Sequence, residues 1–403
     1  MVYTRGLPGG DGMRRAPALL LLLLLAAPAW GYQTERAVLV IIDGLRYSEG
    51  LGDPTQAHVP QMAALAAQGA LVETCLNLGI TYTNRAVPAI WCGGYTEIFE
   101  FVDPDCGGAN NNYTALPTVF EYFRKQKQKA PEDCIYVLKN VGCPWRGSMH
   151  PDYGPDWWPL YDMAGYTDAS VWAEAQSVLA GESPELLLIY LADVDHYGHA
   201  GNWTNYLAAI EAADAIVGAL WARLQELPAY AGKTTLFVTN DHGRHTTNWT
   251  GHGDGCAGCR RVQLLAVGPD TPAGLVSTTP RETIDVAPSI GLLLGFTTEY
   301  ATGVAMSELF PGSGVDPLPA GMDLAAWPNP FRGETTLRLA AAAPAATTVE
   351  LFDLAGRRVD TLPLAANAEA ATWTPPAELA SGVYFARVDI AGERLTRRLV
   401  LLR

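Results

Sequence analysis

The chain has 403 residues, of which 49% are hydrophobic and 17% are charged. These values exclude a fibrous or disordered chain and favour two folded domains with a sizeable core. The 42 acidic and 27 basic residues give a net charge of −15, which excludes nucleic acid and anionic membranes as the main partners. An enzyme with an anionic substrate would need a local positive charge to offset this repulsion, and bound metal ions would supply it.

The first 31 residues have the form of an export signal. Arg14 and Arg15 precede an apolar run over Leu19–Leu25, and small residues follow it. The run is too short to span a bilayer, and cleavage after Ala29 and cleavage after Gly31 both suit the pattern. No second apolar run has the length of a membrane span. We therefore predict a signal peptide over residues 1–31 and a secreted protein.

Strand and helix patterns alternate between residues 37 and 296, which predicts an α/β sandwich with a mostly parallel sheet. The strand runs are apolar without alternation, as in strands that are buried on both faces. The predicted strands are Ala37–Ile42, Cys134–Leu138, Leu186–Leu191, Thr235–Val238 and Val262–Val267. The predicted helices are Gln61–Gln68, Leu116–Gln126, Asp168–Leu179, Asn205–Leu227 and Glu282–Leu294. This domain is placed at 32–310, with a Gly-, Pro- and aromatic-rich insertion or lid over 98–166.

A linker over 311–325 separates this domain from a region of short, alternating strands. We predict a small all-β, immunoglobulin-like sandwich over 326–403. The segments Asn329–Phe331, Val349–Arg357 and Ser381–Arg387 resemble FlgD-like and C-terminal sorting domains of secreted bacterial proteins. The resemblance implies that export or sorting machinery is a partner and that the protein is secreted or lies at the surface or in the periplasm of a bacterium.

Carboxylates and imidazoles follow three of the predicted strands. Asp43 comes directly after the first strand, Asp195 and His199 follow the third, and Asp241 and His242 follow the fourth. The carboxyl ends of parallel strands line the binding crevice of an open α/β sheet, so these side chains are expected at one rim. Aspartate and histidine together are the ligand types of a divalent metal site.

Four motifs occur in the order found in the alkaline phosphatase superfamily, and the chain resembles its type I phosphodiesterase/nucleotide pyrophosphatase members. The resemblance covers about residues 37–297 and implies two divalent metal ions, usually zinc, with manganese and iron as alternatives. It implies that Asp195, His199 and His252 hold one ion, and that Asp43, Asp241, His242 and the nucleophile hold the other. The motifs are Asp43-Gly44, Asp195-x-x-Gly-His199, Asp241-His242-Gly243 and Gly251-His252-Gly253.

The same resemblance implies that Thr83 is the nucleophile, about ten residues before the glycine that closes its segment, Gly93. Thr81 is the main rival, and Thr74 is another. A helix that begins at this nucleophile would stabilise an oxyanion.

Two neighbours of the nucleophile are further candidates for the catalytic site. The backbone N–H of Asn84 is an oxyanion donor in this interpretation. Arg85 would either bind phosphate at two points or be a solvated or salt-bridged residue, and the sequence leaves both open.

The predicted function is a secreted two-metal phosphoesterase that acts through a covalent phospho-threonine intermediate. The threonine and the aromatic insertion favour phosphodiester or nucleotide substrates. The threonine argues against a sulfatase, since formylglycine forms from cysteine or serine. The alternatives are a broad phosphomonoesterase and a catalytically inactive binding protein displayed at the surface.

The chain contains seven cysteines, an odd number for a secreted protein. Cys256 and Cys259 have the spacing of half a zinc knuckle or of a redox pair, but a local disulfide or plain structural thiols are favoured. His245 and Asp254 lie next to predicted metal ligands, and they are interpreted either as their hydrogen-bond partners or as exposed loop residues.

Overall fold

The computed structural model describes residues 32–102, 110–139, 145–311 and 324–403, the last range with gaps at 328, 330, 340–342, 344, 354–355 and 391–392. The predicted signal peptide, most of the predicted linker, Cys106 and Cys143 lie outside the described residues. Within these ranges, no helix has both the length and the apolar character that crossing a membrane requires.

The first domain contains all the predicted strands and helices, with small shifts at most of their ends. Its strands are β1 (Arg36–Ile42), β2 (Ala70–Val72), β3 (Cys75–Leu76), β4 (Ile98–Val102), β5 (Asn110–Thr114), β6 (Cys134–Leu138), β7 (Trp145–Ser148), β8 (Leu160–Met163), β9 (Leu186–Leu191), β10 (Thr234–Thr239), β11 (Arg261–Val262), β12 (Leu264–Val267), β13 (Leu275–Ser277) and β14 (Arg281–Glu282). Its helices are α1 (Pro60–Gln68), α2 (Thr83–Cys92), α3 (Val119–Lys127), α4 (Asp168–Ala180), α5 (Asp193–His199), α6 (Trp203–Glu226), α7 (Ala257–Arg260) and α8 (Val286–Leu294).

Eight strands form the central sheet in the order β13-β2-β12-β10-β1-β9-β6-β8. Strand β12 runs antiparallel to its neighbours β10 and β2, and the other pairings in this sheet are parallel. Alternate residues of β1 enter two different hydrophobic clusters, with Leu39 in one and Val40 in the other. One cluster includes residues of α2, α3 and α8, and the other includes residues of α1, α4 and α6. The predicted α/β sandwich with a mostly parallel sheet is confirmed.

Residues 98–166 do not form one separate unit. Strands β4, β5 and β7 make a small three-stranded sheet, whereas β6 and β8 are strands of the central sheet. Helix α3 packs into the domain core through Phe120 and Phe123. The apolar sequence of β6 explains this division, because a fully buried five-residue strand needs helices on both of its faces.

Two predicted elements differ in detail from the observed ones. The predicted helix from Glu282 begins as a 3₁₀ turn over Thr283–Asp285 and becomes an α-helix at Val286. The Asp285 carboxylate accepts the N–H of Glu282 at 3.1 Å, which caps the turn, and the N–H of Val304 at 2.8 Å. The predicted strand over 262–267 is split at Gln263, whose N–H donates to the Asn240 side chain at 2.8 Å.

The C-terminal region forms two antiparallel sheets around a core of its own. The strands are β15 (Leu324–Trp327), β16 (Thr335–Leu339), β17 (Thr347–Asp353), β18 (Arg358–Leu364), β19 (Ala370–Trp373), β20 (Gly382–Ile390) and β21 (Glu393–Leu401). One sheet contains β15, β16 and β19, and the other has the order β18-β17-β20-β21. Trp373 and Leu399 are fully buried between the sheets, as expected for a β-sandwich.

Candidate active site

The three strands that carry the predicted ligands are neighbours in the sheet. Strand β1 pairs in parallel with β9 on one side and with β10 on the other, so their carboxyl ends lie side by side. Asp43 follows β1 and donates its N–H to Leu191, the last residue of β9, at 2.9 Å. Helix α5 begins just beyond β9, and Asp241 follows β10 after one residue. The rim predicted from the strand order is therefore formed.

A first cluster contains Asp43, Asp241, His242 and Thr83. The His242 Nε2 atom lies 3.4 Å from Asp43 Oδ1 and 3.3 Å from Asp241 Oδ2. The Thr83 hydroxyl lies 3.2 Å from the same nitrogen and 3.4 Å from Asp43 Oδ1. The two carboxylates and the imidazole are buried, whereas Thr83 is partly open to solvent.

A second cluster contains Asp195, His199 and His252. The two imidazoles face each other with their Nε2 atoms 2.9 Å apart. Asp195 lies 3.3 Å from His199 and 3.6 Å from His252, measured from carboxylate oxygen to Nε2. The ring of His252 stacks on that of His242 at a centroid distance of 3.9 Å, which joins the two clusters. The structure thus brings together all seven predicted metal ligands, counting Thr83.

Backbone carbonyls orient two of the imidazoles. The Nδ1 atom of His242 lies 2.9 Å from the carbonyl of Gly243, and the Nδ1 atom of His252 lies 2.9 Å from the carbonyl of Thr81. A carbonyl can only accept, so Nδ1 carries the proton in both rings. Nε2 is then the free nitrogen, and it points into the clusters as a metal ligand requires.

The donor set fits divalent metal ions. Asp241 Oδ2 is buried and has no hydrogen-bond partner among the described residues, although such an atom ordinarily has one. Burial lowers the pKa of His242 to about 4, and burial together with His242 lowers that of His252 to about 4, so both rings are neutral ligands at neutral pH. Burial and the charges of Asp241 and Asp195 raise the pKa of Asp43 well above its usual range. A cation among these groups would relieve the repulsion.

A buried arginine holds Asp195 in place. Burial alone would raise the pKa of Asp195, but the hydrogen bond with His199 and the charge of Arg244 lower it well below the usual range. The Arg244 guanidinium donates to the Asp195 carboxylate, to its backbone carbonyl at 2.8 Å and to the carbonyl of Thr250 at 2.8 Å. A Cβ at Gly198 would lie 2.2 Å from the guanidinium carbon, which explains the glycine in the Asp195-x-x-Gly-His199 motif.

A phenol and a glycine complete the surroundings of Asp43. The Tyr190 hydroxyl on β9 donates to Asp43 Oδ2. Gly44 adopts a positive φ of 69°, and a Cβ there would lie 2.6 Å from Asp195 Oδ1. Its N–H donates to Asp241 Oδ1 at 3.1 Å. Glycine is therefore required after Asp43, because only it permits both the backbone conformation and the approach of Asp195.

The three threonines considered as the nucleophile lie in different surroundings. Thr83 is the first residue of α2, at the positive end of the helix. Thr81 is buried, its carbonyl contacts His252 and its hydroxyl accepts the N–H of Gly255 at 3.3 Å. Thr74 lies between β2 and β3, where its carbonyl accepts the N–H of Arg281.

The side chains of Asn84 and Arg85, the two residues after Thr83, lie in different surroundings. Asn84 lines the cavity over the clusters. The Arg85 guanidinium forms an ion pair with Glu97 at 3.2 Å, which is the salt-bridged alternative of the two that the sequence left open.

A cavity of about 720 Å³ opens over both clusters. Its wall includes Lys139, whose ammonium lies 2.6 Å from the Asp193 carboxylate. Asn112 and Tyr166 line it from the 98–166 segment, and Tyr166 is 73% exposed. The wall carries more carboxylates than cations, so an anionic ligand needs a further positive charge here.

Residues 37–257 match the type I phosphodiesterase / nucleotide pyrophosphatase family. The chain belongs to this family. Residues 325–402 match a secretion system C-terminal sorting domain, which confirms the predicted resemblance of the second domain. No curated protein matches this phosphodiesterase family member in sequence.

Solved structures share the fold of this phosphodiesterase family member at low sequence identity. Murine ectonucleotide pyrophosphatase/phosphodiesterase 5 is 14% identical, with a TM-score of 0.50 over 68% of this chain and 100% of its own. A second structure of that murine protein, an inactive variant in which alanine replaces a threonine, contains AMP. A Vibrio parahaemolyticus protein of the alkaline phosphatase superfamily is 12% identical, with a TM-score of 0.50 over 87% of this chain and 81% of its own. A Bacteroides thetaiotaomicron 4S-sulfatase is 13% identical, with a TM-score of 0.51 over 82% of this chain and 89% of its own.

Sequence reasoning missed three groups that support the site. Tyr190 lies inside an apolar strand, so the sequence pattern predicts only a core residue there. Arg244 follows the Asp241-His242-Gly243 motif, and its proximity to the motif was the one available signal. The Thr81 carbonyl acts through the backbone, and the side-chain pattern gives no indication of such a role.

Proposed function

We propose that this protein is an exported phosphoesterase that transfers a phosphoryl group to Thr83 and then to water, with a preference for phosphodiester or nucleotide substrates. The observation that carries the proposal is the position of the Thr83 hydroxyl. It lies at the start of a helix, at the mouth of a cavity and within 3.4 Å of Asp43 and His242. A nucleophile, metal ligands and an oxyanion-stabilising helix terminus then meet at one point.

Two divalent ions, zinc by the chemistry of the donors, complete this site in the proposal. Asp43, Asp241 and His242 hold one together with Thr83, and Asp195, His199 and His252 hold the other. When bound, the ions lower the pKa of a hydroxyl or a water and neutralise charge on the reacting phosphate.

Thr83 carries the covalent step. Its Oγ1 atom forms a bond to phosphorus while the bond from phosphorus to the leaving alcohol oxygen breaks. Water then attacks the phospho-threonine, which releases phosphate or a phosphomonoester and restores the hydroxyl. Asn84 is the second residue of α2, where a backbone N–H has no acceptor within the helix and is free to donate to a phosphate oxygen.

The cavity supports a substrate larger than inorganic phosphate. Its volume of about 720 Å³ is that of a small-molecule site, and an exposed tyrosine, Tyr166, stands at its wall. An aromatic ring of this kind offers a face to a nucleobase or another planar group. The AMP bound to the inactive threonine variant of the murine relative supports both the substrate class and a threonine nucleophile.

The sulfatase alternative lacks its nucleophile here. Sulfatases share this fold, but their formylglycine derives from cysteine or serine, and the residue at the start of α2 is threonine. Oxidation of threonine would give a ketone, which is a poorer centre for that chemistry.

The sorting domain supports export as part of the proposal. A signal peptide over 1–31 and a C-terminal sorting domain would deliver the catalytic domain to the bacterial surface or its surroundings. The phosphate esters that it cleaves would then be extracellular or periplasmic.

Hydrolysis of bis-para-nitrophenyl phosphate and of para-nitrophenyl phosphate with zinc tests the proposal. We expect faster diester cleavage, and we expect Thr83→Ala to reduce kcat/KM roughly 10³-fold or more while Thr83→Ser retains activity. A chelator should abolish turnover, and zinc should restore it. Faster monoester cleavage would contradict the diesterase preference. Full activity in Thr83→Ala would refute the nucleophile, and a zinc-loaded chain inactive on both esters would favour the inactive binding protein.

A further inference from the structure

A second group of metal-ligand side chains lies outside the catalytic cavity, in the loop between β10 and β11. It consists of His245, Asp254, Cys256 and Cys259, and one ligand atom from each lies within 4.8 Å of the others. None of these residues lines the cavity described above, and the proposed reaction uses none of them.

The distances from His245 Nδ1 to the other three ligand atoms are close to those of a tetrahedron around an ion, whereas the two sulfur atoms lie about 0.5 Å closer together than in such a tetrahedron. His245 Nδ1 lies 3.3 Å from Cys256 Sγ, 3.5 Å from Cys259 Sγ and 3.3 Å from Asp254 Oδ1. The two sulfur atoms are 3.3 Å apart. Tetrahedral zinc with ordinary bond lengths would separate nitrogen from sulfur by about 3.5 Å, nitrogen from oxygen by about 3.4 Å and the two sulfurs by about 3.8 Å.

Local hydrogen bonds account for part of this arrangement, since the Cys256 N–H donates to Asp254 Oδ1 at 3.0 Å and the Cys259 N–H donates to Cys256 Sγ at 3.4 Å. They do not account for the position of His245 Nδ1 within 3.5 Å of both sulfur atoms. The sulfur atoms are too far apart for a disulfide, whose bond is about 2.05 Å long. One imidazole nitrogen cannot form hydrogen bonds with two thiols and a carboxylate at once, because it has a single proton or a single lone pair.

We propose that His245, Asp254, Cys256 and Cys259 bind a structural zinc ion that is separate from the catalytic metals. Two thiolates and an imidazole in tetrahedral array select zinc among the common divalent metals. The site also explains why two thiols that are close in space stay unpaired in a chain bound for an oxidising compartment, since metal-bound thiolates are protected from oxidation.

The position of the ion suggests what it does. The loop that it closes, from His245 to Asp254, contains the catalytic ligand His252. The chain segments on either side of this loop meet at Gly243 and Gly258, where a Cβ on Gly243 would lie 2.1 Å from the Gly258 carbonyl oxygen. The Gly243 N–H also donates to the Cys259 carbonyl at 2.8 Å. The zinc would fix the base of the loop and thereby the position of His252.

Cobalt substitution distinguishes this site from the catalytic one, whose proposed ligands contain no sulfur. The full-length protein loaded with cobalt should show a thiolate-to-cobalt charge-transfer band in the near ultraviolet. Cys256→Ser/Cys259→Ser should abolish this band and lower the zinc content of the purified protein by one equivalent. Cys134→Ala, which removes a buried thiol outside the group, and His242→Ala, which affects the catalytic site, should both keep the band.

Three results would overturn the proposal. They are the absence of the band from the cobalt-loaded wild-type protein, an unchanged zinc content in the double variant, and a Cys256–Cys259 disulfide in non-reduced peptides of the native protein. If the double variant fails to fold, His245→Gln keeps both thiols and should still lose the extra equivalent of zinc. An unchanged zinc content in a folded His245→Gln protein would likewise refute the site.

Discussion

The Nε2 atoms of His199 and His252 lie 2.9 Å apart, although 53 positions separate the two residues in the chain. The Nδ1 proton of His252 is held by the Thr81 carbonyl, so the Nε2 lone pair of His252 faces the other ring. Two lone pairs at this distance repel each other unless a proton or a cation lies between them. In the proposed site, the divalent cation that Asp195 holds beside both rings would separate them.

Metal removal should therefore destabilise the catalytic domain. Zinc at a hundred times its Kd adds about 2.7 kcal/mol to the free energy of unfolding, which corresponds to a Tm increase of roughly 4–5 °C for a domain of about 280 residues. Calorimetry of chelator-treated protein before and after zinc addition measures the shift. His199→Ala should reduce it, whereas His58→Ala, which alters a partly exposed histidine paired with Glu211, should leave it intact. An equal shift in His199→Ala would contradict the ligand assignment.

Tyr190→Phe isolates the hydrogen bond to Asp43. The change keeps the ring in the core and removes only the hydroxyl that donates to Asp43 Oδ2. Groups that orient a metal ligand in this way contribute 10–100-fold to metal affinity or activity, so we expect a loss of about that size in zinc affinity. Competition with a chromophoric chelator gives the affinity.

The matched control for this prediction is Tyr206→Phe. Tyr206 is a buried tyrosine whose hydroxyl accepts the N–H of Arg46 and donates to the carbonyl of Gly44. It contacts none of the proposed ligands directly, so its variant should bind zinc nearly as well as the wild type. Equal zinc affinity in Tyr190→Phe and the wild type would show that the phenol does not position Asp43.

Arg244→Met tests the buried ion pair with Asp195. The guanidinium is fully buried, and Asp195 is nearly so, so removal of one partner leaves a charge without compensation. We expect the metal-free protein to lose about 3–5 kcal/mol of unfolding free energy. The comparison is Arg85→Met, which breaks the pair with the largely exposed Glu97 and should cost less than about 1 kcal/mol. Denaturant titration measures the unfolding free energy of each variant. Similar losses of unfolding free energy in Arg244→Met and Arg85→Met would refute this prediction.

The clustering of the candidate metal ligands could be predicted because their motifs follow apolar strands whose ends meet at one rim. Their assignment to two ions came from the family resemblance and stays a prediction. To place Asp43 and Asp241 at this rim, it was enough to observe that each acid follows an apolar strand in the sequence. The hydrogen bond from Tyr190 to Asp43 could not be predicted in this way, because it depends on β9 lying beside β1. Local sequence patterns do not reveal the order of strands in a sheet. The same holds for β12, whose antiparallel direction follows from the path of the chain after the loop that carries His252.

The sequence alone could not choose between the interpretations of Cys256 and Cys259, for a related reason. The C-x-x-C spacing alone fits a disulfide, a redox pair or a zinc knuckle, and no second cysteine pair favoured the last of these. The structure adds His245 and Asp254 from the other side of the loop, and side chains that meet across a loop have no fixed spacing in sequence.

The buried Glu121 should make stability depend on pH. Burial raises its pKa to about 7, although the Ser148 hydroxyl and the backbone N–H of Thr118 donate to it at 2.7 Å. An acid with a raised pKa in the folded state binds a proton that the unfolded chain has released between about pH 4.5 and pH 7. The free energy of unfolding should therefore fall as pH rises through this window, by up to about 3 kcal/mol from Glu121 alone.

Urea unfolding of the chelator-treated protein at pH 5 and pH 8 measures this dependence. Glu121→Gln cannot titrate, so its unfolding free energy should fall less between the two pH values than that of the wild type. The difference between the two profiles isolates Glu121, because the other buried carboxyls are common to both proteins. Glu226→Gln, which alters an exposed acid on α6, should reproduce the wild-type profile. Parallel profiles for Glu121→Gln and the wild type would mean that Glu121 stays ionised in the folded protein, because its hydrogen bonds outweigh the cost of its burial.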